Sequence, residues 1–448
     1  MALRYPLSGL GPTSPGSKIM KHLPTSLLLS TLAITLSAQA HNLIPAGKQT
    51  QSVLIKNATV HTVSQGTLTN TDVLIEQGKI SAIGPQLSIN GPDGQAQIID
   101  ATGKHLYPGL IALDTSLGLV EIEMVRPTVD NAEVGDFNPQ ISAATAYNPD
   151  SELLPTIRYN GITHAQIVPS GDGLAGQSVV VDLDAWTIED ALQPSEGQFH
   201  VYWPQIKRMP EDEKEKAKAI EKNQQAIDTL TTAFEDGYRY FLSHKAKDSA
   251  KTTNLRWQAM LPLYQGKATL FAHADNVSQI EQVIALTKKY QFKLVIVGGY
   301  DAWRLASSLR EVNASVIYPH TLSLPKRKDE PVDLPFKIPS LLASAGIPYA
   351  LGFSSDWNSR NLPYAAGYSA AYGVTPEQAL KSVTLDAAKL LGIADLGAIA
   401  VGYQGSVVLS DGDILDPMSN KIDAIWIEGR QIDLNNRHQQ LYQKYLKR

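Results

Sequence analysis

The chain contains no cysteine. That absence excludes disulfides, thiolate zinc sites, iron–sulfur clusters and a cysteine nucleophile. Any metal would have to be held by histidine, aspartate, glutamate or a modified lysine. Basic charge is not in excess either: Lys and Arg number 39 against 44 Asp and Glu, a formal net charge of −5. Such a balance gives no electrostatic footprint for nucleic acid or an anionic membrane. The apolar run at 27–36 is too short to cross a bilayer as a permanent helix, and no other stretch is long and apolar enough. Repeats and low-complexity segments are absent after residue 40. What is present is 448 residues, 43% hydrophobic and 19% charged, enough for a large buried core. Length implies about three domains, or one large barrel with an appendage.

The first forty residues read as a leader rather than as part of the fold. Residues 1–17 are rich in Pro, Gly and Ser without periodicity. Lys18 and Lys21 then precede the apolar run, and Ala38-Gln39-Ala40 offers small residues where a signal peptidase reads them. The expectation is a signal peptide over 1–40, a mature chain from His41, and a periplasmic or secreted protein. Met20 is an alternative start, in which case 1–19 is not translated.

In the mature chain, 52–62 and 71–83 alternate apolar and polar residues, with Gly66 and Gly78 at turns. Segments 406–409 and 424–432, with Gly429 at a turn, read the same way. Two such blocks bracketing the chain predict one small β-sandwich domain built from both ends. Between them, strands at 161–168, 269–273, 293–297, 315–318 and 349–352 alternate with helices at 211–234, 277–290, 302–312, 338–345 and 376–391. Repeated β-then-α units predict a parallel sheet of about eight strands. The expected fold is thus α/β: a (β/α)8 TIM-like barrel over 108–395, with sandwich parts at 41–107 and 396–435 and a helix or tail at 436–448. In such a barrel, residues just after each apolar strand are the candidates for chemistry. The polar, proline-containing stretch 326–337 predicts a long loop over that face.

His105-Leu-Tyr-Pro-Gly-Leu-Ile111, Phe271-Ala-His-Ala-Asp275 and the stretches 354–363, 379–392 and 395–409 together resemble the amidohydrolase superfamily, and more narrowly its imidazolonepropionase-like and dihydroorotase-like members. His105-Leu-Tyr-Pro-Gly-Leu-Ile111 resembles the family's entry strand. Phe271-Ala-His-Ala-Asp275 resembles the end of its fifth strand. The stretches 354–363 and 379–392 resemble its last strand and the helix that follows, and 395–409 its return to the sandwich. The resemblance spans about 52–433. It implies hydrolysis of C–N bonds other than peptide bonds at a metal centre, but the metal pattern departs from the family's. Asp114 and Ser116 stand where the entry-strand histidine pair is expected, and Val297-Gly-Gly299 where the sixth-strand histidine is expected. Those two glycines read as a tight turn that lets the next helix pack closely. By resemblance, His273 is the fifth-strand histidine and Asp356 the last-strand aspartate that binds metal and serves as general base.

The implied site is therefore His273, Asp356 and Asp114 as metal ligands, with Asp356 and His273 catalytic. Such a set holds at most one divalent ion (zinc, manganese or similar), or none. Glu121, Trp357 and His320 are candidates for binding substrate, with Glu123 beside Glu121 on the first barrel loop. His164 reads as a structural histidine with a satisfied hydrogen bond. The expected partner is a small molecule such as a cyclic amide, with no nucleic acid and no membrane once the leader is removed; a homo-oligomer is compatible with the sequence. The competing expectation is a catalytically inactive barrel kept as a binding or scaffold module.

Overall fold

Alternating apolar residues at both ends of the chain are consumed by a single sheet. The computed structural model describes residues 44–88, 96–206, 208–246 and 253–448; the expected leader at 1–40 lies outside the described residues. From the N-terminal side come β1 (Ser52–His61), β2 (Thr67–Glu76), β3 (Lys79–Gly84), β4 (Ala96–Asp100) and β5 (His105–Pro108). The central region supplies β6 (Leu110–Thr115), β7 (Ile162–Ile167), β8 (Gly173–Asp182), β9 (Gly197–Tyr202), β10 (Ala268–Ala274), β11 (Lys293–Gly298), β12 (Ser315–Tyr318) and β13 (Tyr349–Leu351). The C-terminal side returns with β14 (Val407–Ser410), β15 (Ile422–Ile427) and β16 (Arg430–Gln431). Among the described residues these form two sheets of eight strands. The first runs β16-β15-β14-β5-β1-β2-β3, with β4 parallel to β1, so strands from the two ends of the chain meet where β14 pairs with β5. Ile55, Val60, Val73, Ile75, Leu106, Val407, Leu409 and Trp426 point to one side and form a hydrophobic core of their own.

The second sheet runs β13-β12-β11-β10-β9-β8-β7-β6 and nearly closes into a barrel. The Phe353 N–H donates to the Leu113 carbonyl at 3.0 Å and draws the two edges together. Seven of these strands run in one direction, but β8 is antiparallel to both β7 and β9. The sequence reading expected a uniform parallel sheet and missed both β8 and β9. The physical reason for the reversal is the link 168–172, which is far too short for a crossover and permits only a hairpin.

Period-2 alternation divides the barrel strands into two faces. Leu110, Ala112, Leu270 and Ala272 face outward onto the surrounding helices. Ile111, Leu113, Val180, Phe271, Val295, Val297 and Ile317 face inward, and Ala387, Leu391 and Leu396 close the floor beneath them. Continuing the inward face toward the mouth gives the polar residues Gln166, Ser178, Gln198, His200 and His273, and a register shift after Ala112 turns Asp114 in with them. The barrel interior is thus apolar below and polar above.

Helix 277–290 forms as expected, started by a capping box between Asn276 and Gln279. The helix expected over 376–391 is two, Pro376–Ser382 and Leu385–Leu390. The break follows from the Ile111 N–H, which donates to the Val383 carbonyl at 2.9 Å and takes an acceptor that a continuing helix would use. The charged helix begins at Glu213, behind an Asp212 cap, and runs to Lys245, well beyond the expected end.

Gly109 sits where the chain passes from sheet to barrel. A Cβ there would lie 2.1 Å from Thr163 Oγ1 on β7. Gly109→Ala is expected to cost roughly 1–3 kcal/mol by overpacking. Urea unfolding would measure the loss, and Thr163→Ala in the same chain should recover part of it.

Candidate active site at the barrel mouth

Asp114 lies near the end of β6, at a register shift between Ala112 and Thr115. Its backbone is left-handed, φ +59°, a region aspartate tolerates better than most residues but rarely occupies without cause. In that conformation its N–H donates to Gln166 Oε1 at 3.2 Å. The carboxyl is 5% exposed, and Oδ2 accepts from the Ser354 hydroxyl. Burial pushes its pKa up to about 7, with the nearby negative charge of Asp275 adding to the effect against the Ser354 hydrogen bond.

His273, on β10, faces Asp114: Nδ1 lies 3.9 Å from Oδ1. That gap is too long for a direct hydrogen bond. The Tyr202 ring lies flat on the imidazole, centroids 3.8 Å apart and planes 11° apart. His273 Nε2 is 3.0 Å from His200 Nδ1, and His200 Nε2 is 2.8 Å from Ser178 Oγ. Burial pulls the His273 pKa down to about 3 and holds His200 well below the usual range. Both rings are therefore neutral at pH 7, while 14% of the His273 side chain remains exposed at the mouth.

The other expected site residues are placed as follows. Asp356 caps the turn Trp357–Asn361, its Oδ1 accepting from the Trp357 N–H at 2.6 Å and from Ser355 Oγ at 3.2 Å. Trp357 packs edge-on against His438, 5.2 Å between centroids, and under the Arg360 guanidinium. Glu121 braces its own loop, accepting from Asn148 Nδ2 at 3.1 Å and Ser151 Oγ at 2.9 Å. His320 lies 2.9 Å from Asp275 Oδ1. Asp275 also takes a hydrogen bond from Lys326. Burial would raise the Asp275 pKa, but His320 and Lys326 outweigh it and hold the group below the usual carboxylate range. The loop 319–333 is pinned here, and again where Arg327 grips Asp301 at 2.6 and 2.8 Å.

Gly298 explains the missing sixth-strand histidine differently from the helix-packing turn expected above. At φ +98°, a Cβ on Gly298 would come 2.6 Å from Asp275 Oδ1. The position is empty of side chain because the Asp275 carboxylate fills the space; the neighbouring Gly299 makes room instead for Val316.

The donor set does not fit a resident metal ion. Among the described residues no three His, Asp or Glu side chains are grouped to hold one. Asp114 and His273 approach each other, but the second nitrogen of His273 is engaged by His200 and Asp356 is committed to its cap. What the mouth does assemble is a carboxyl titrating near neutrality opposite an imidazole. A cavity of about 660 Å³ is bounded by Phe137, 170–173, Tyr202 and Leu230. A second cavity of about 800 Å³, walled by Asp182, Asp184, Trp186 and Arg430, sits at the opposite end of the barrel, away from this pair.

Sequence reasoning missed Gln166, Ser178, Gln198, His200, Tyr202, Asp275 and Ser354. One signal was available: Gln198, His200 and Tyr202 alternate with Phe199 and Val201, the pattern of a strand with one polar face.

Residues 337–432 match the amidohydrolase family model. Over 395 residues the chain is 21% identical to the amidohydrolase tasK of Hapsidospora irregularis, covering 80% of this chain and 39% of that protein. Over 108 residues it is 34% identical to the dihydroorotase of Mycobacterium tuberculosis, covering 24% of this chain and 22% of that one. The chain thus spans about two fifths and about a fifth of these curated relatives. Among solved structures, an amidohydrolase from Thermotoga maritima superposes with a TM-score of 0.72 at 24% identity, covering 85% of this chain and 99% of that one.

The raised Asp114 pKa has a stability consequence with a definite sign. The folded chain holds this proton to about pH 7, the unfolded chain only to about pH 4, so the folded state binds more protons between them. Stability from this group is full below about pH 4 and is lost as pH rises through about 7. Asp114→Asn removes that loss. Urea midpoints at pH 5 and pH 8 should show the variant gaining about 2 kcal/mol on the parent between the two pH values.

Proposed function

We propose that this chain, whose residues 337–432 match the amidohydrolase family and whose barrel is that of amidohydrolase structures, is a hydrolase of C–N bonds other than peptide bonds, acting on a cyclic amide or similar small molecule. The observation that carries the reading is the facing pair at the mouth: the Asp114 carboxyl and the His273 imidazole, 3.9 Å apart. One water can sit about 2.8 Å from both atoms across such a gap. Asp114, titrating near neutrality, suits general base work, because an effective catalytic pKa lies close to the working pH. This moves the base from the expected Asp356 to Asp114.

The reaction then balances without further reagents. Asp114 takes one proton from the water as its oxygen bonds to the carbonyl carbon, and the C=O pair moves onto oxygen. When that pair returns, the C–N bond breaks and the leaving nitrogen takes the proton from Asp114. Water has delivered OH to carbon and H to nitrogen, and the carboxylate is regenerated. His273 accepts the second O–H of the water and orients it. The 660 Å³ cavity that Tyr202 lines offers room for a substrate side arm. No step needs a metal, and we count at most one loosely held divalent ion here. The competing reading, a barrel kept for binding alone, is favoured by the lack of any three-donor group among the described residues; it predicts no turnover at all.

Two further proposals concern the rest of the chain. We read the sheet built from both ends as the small β-sandwich of the family, and the segment 1–40 as an export signal that directs the protein to the periplasm or outside the cell.

The test is a panel of cyclic amides (dihydroorotate, dihydrouracil, hydantoin) with EDTA-treated enzyme. Turnover is expected to survive chelation. For the best substrate, kcat/KM should rise with pH and level off above about 7, because the base must be ionised. Asp114→Asn should lower it by roughly 10²–10⁴-fold, while Asp356→Asn changes it much less. Two tightly bound zinc ions per chain by elemental analysis, with activity lost on their removal, would sink this reading.

A further inference from the structure

The polar layer above the apolar floor is a chain of hydrogen bonds that begins at the Asp114 N–H and ends at His273, and each donor fixes the direction of the next bond. A backbone N–H can only donate. The Asp114 N–H therefore requires an oxygen opposite it, which orients the Gln166 amide with Oε1 toward Asp114. Gln166 Nε2 then points away and donates to Gln198 Oε1 at 2.7 Å and to Ser178 Oγ at 3.2 Å. Turning the Gln198 amide round would bring its NH₂ against that of Gln166, two donors facing each other; it is held as it is even though its own Nε2 has no partner.

An amide oxygen can only accept. Ser178 Oγ, 2.6 Å from Gln198 Oε1, must therefore give its single proton to it. The hydroxyl has no second proton for His200, so His200 Nε2 must carry a hydrogen and donate to Ser178 across 2.8 Å. A neutral imidazole carries one N–H, which leaves His200 Nδ1 bare. His273 Nε2, 3.0 Å from that bare nitrogen, must in turn be the N–H partner. His273 Nδ1 is then the bare nitrogen, and it is the atom that faces Asp114 Oδ1.

We infer that Gln166, Ser178, Gln198 and His200 are positioning residues, a buried relay that sets the tautomer of His273 and presents its unprotonated Nδ1 at the barrel mouth. The four are between 0% and 6% exposed, so water does not compete for these bonds. Neutrality of both rings follows from their burial and from the lack of any carboxylate among the hydrogen bonds of His200. The inference rests on the hydrolase reading only for its use: a bare Nδ1 can accept an O–H of the attacking water, whereas an Nδ1–H would repel it.

The test needs no substrate. Two-bond ¹H–¹⁵N correlation spectra of the full chain labelled in its 10 histidines, at pH 7.5, distinguish a bare from a protonated ring nitrogen, and His273→Gln and His200→Gln assign the two rings. The expected result is Nε2–H with bare Nδ1 at both. Ser178→Ala removes the acceptor of His200 Nε2–H and should bring up the Nδ1–H form at His200 and His273; Ser178→Thr should restore the parent pattern. A protonated His273 Nδ1 in the unsubstituted protein would overturn the inference, and so would unchanged rings in a folded Ser178→Ala. Should that variant not fold, the unsubstituted spectrum decides alone. The expected tautomers together with no turnover of any cyclic amide would uphold the relay and reject the hydrolase reading.

Discussion

The backbone N–H of Asp114 is the fixed point on which the mouth of the barrel depends. Every other group in the polar layer can rotate, flip or change tautomer, but a peptide N–H cannot. Placing it in the left-handed region turns it toward Gln166 and sets the sense of every bond that follows. The same backbone twist leaves the Asp114 carboxyl between Ser354 and His273. A single unusual dihedral thus sets both the direction of the relay and the position of the group that the relay serves. Such strain at a strand end costs on the order of 1–3 kcal/mol and persists only where its surroundings hold it.

Charge explains why the mouth is arranged with so few ions in contact. Asp114 is neutral over much of the pH range because it is buried with no cation beside it. Asp275, a few residues from His273, is the opposite case: His320 and Lys326 keep it ionised. Two carboxylates near each other can behave so differently only if their partners differ. Gly298 makes that separation sterically feasible, because any side chain there would displace Asp275. The loop 319–333 is then held by the Asp275 and Asp301 carboxylates, while the Asp114 carboxyl is held by the Ser354 hydroxyl.

Much of the fold was legible in the sequence, because hydrophobic periodicity is written locally. The paired strands at both ends, the helix 277–290 and the apolar strands from 269 onward all stand where alternation placed them. The places of His273 and Asp114 near the ends of apolar strands were legible as well. The break at Val383 was not, because it depends on an N–H donated from a strand more than 250 residues away in the chain, that of Ile111. The relay was missed for a related reason. Gln166, Ser178 and Gln198 are unremarkable as residue types, and only the register of β7, β8 and β9 brings them together. Asp356 caps a turn, and in sequence a carboxylate after a strand reads alike whether it binds an ion or caps a turn.

The reversed strand β8 is where fold and site are most tightly joined. A five-residue link after β7 forces a hairpin, and the hairpin does two things at once. It carries Ser178 into the middle of the barrel wall, between Gln166 and Gln198, where its hydroxyl joins them to His200. It also brings residues 170–173 to the mouth, where they form one side of the 660 Å³ cavity. Tyr202 connects the two results: its hydroxyl donates to the Pro169 carbonyl of the hairpin link at 3.1 Å, while its ring lies against His273. A parallel β8 would have needed a crossover of a dozen residues or more, and the short link that fastens Tyr202 would not exist. The imidazole is therefore held from below by hydrogen bonds and from one face by a ring that the hairpin itself anchors, which leaves Nδ1 directed at Asp114.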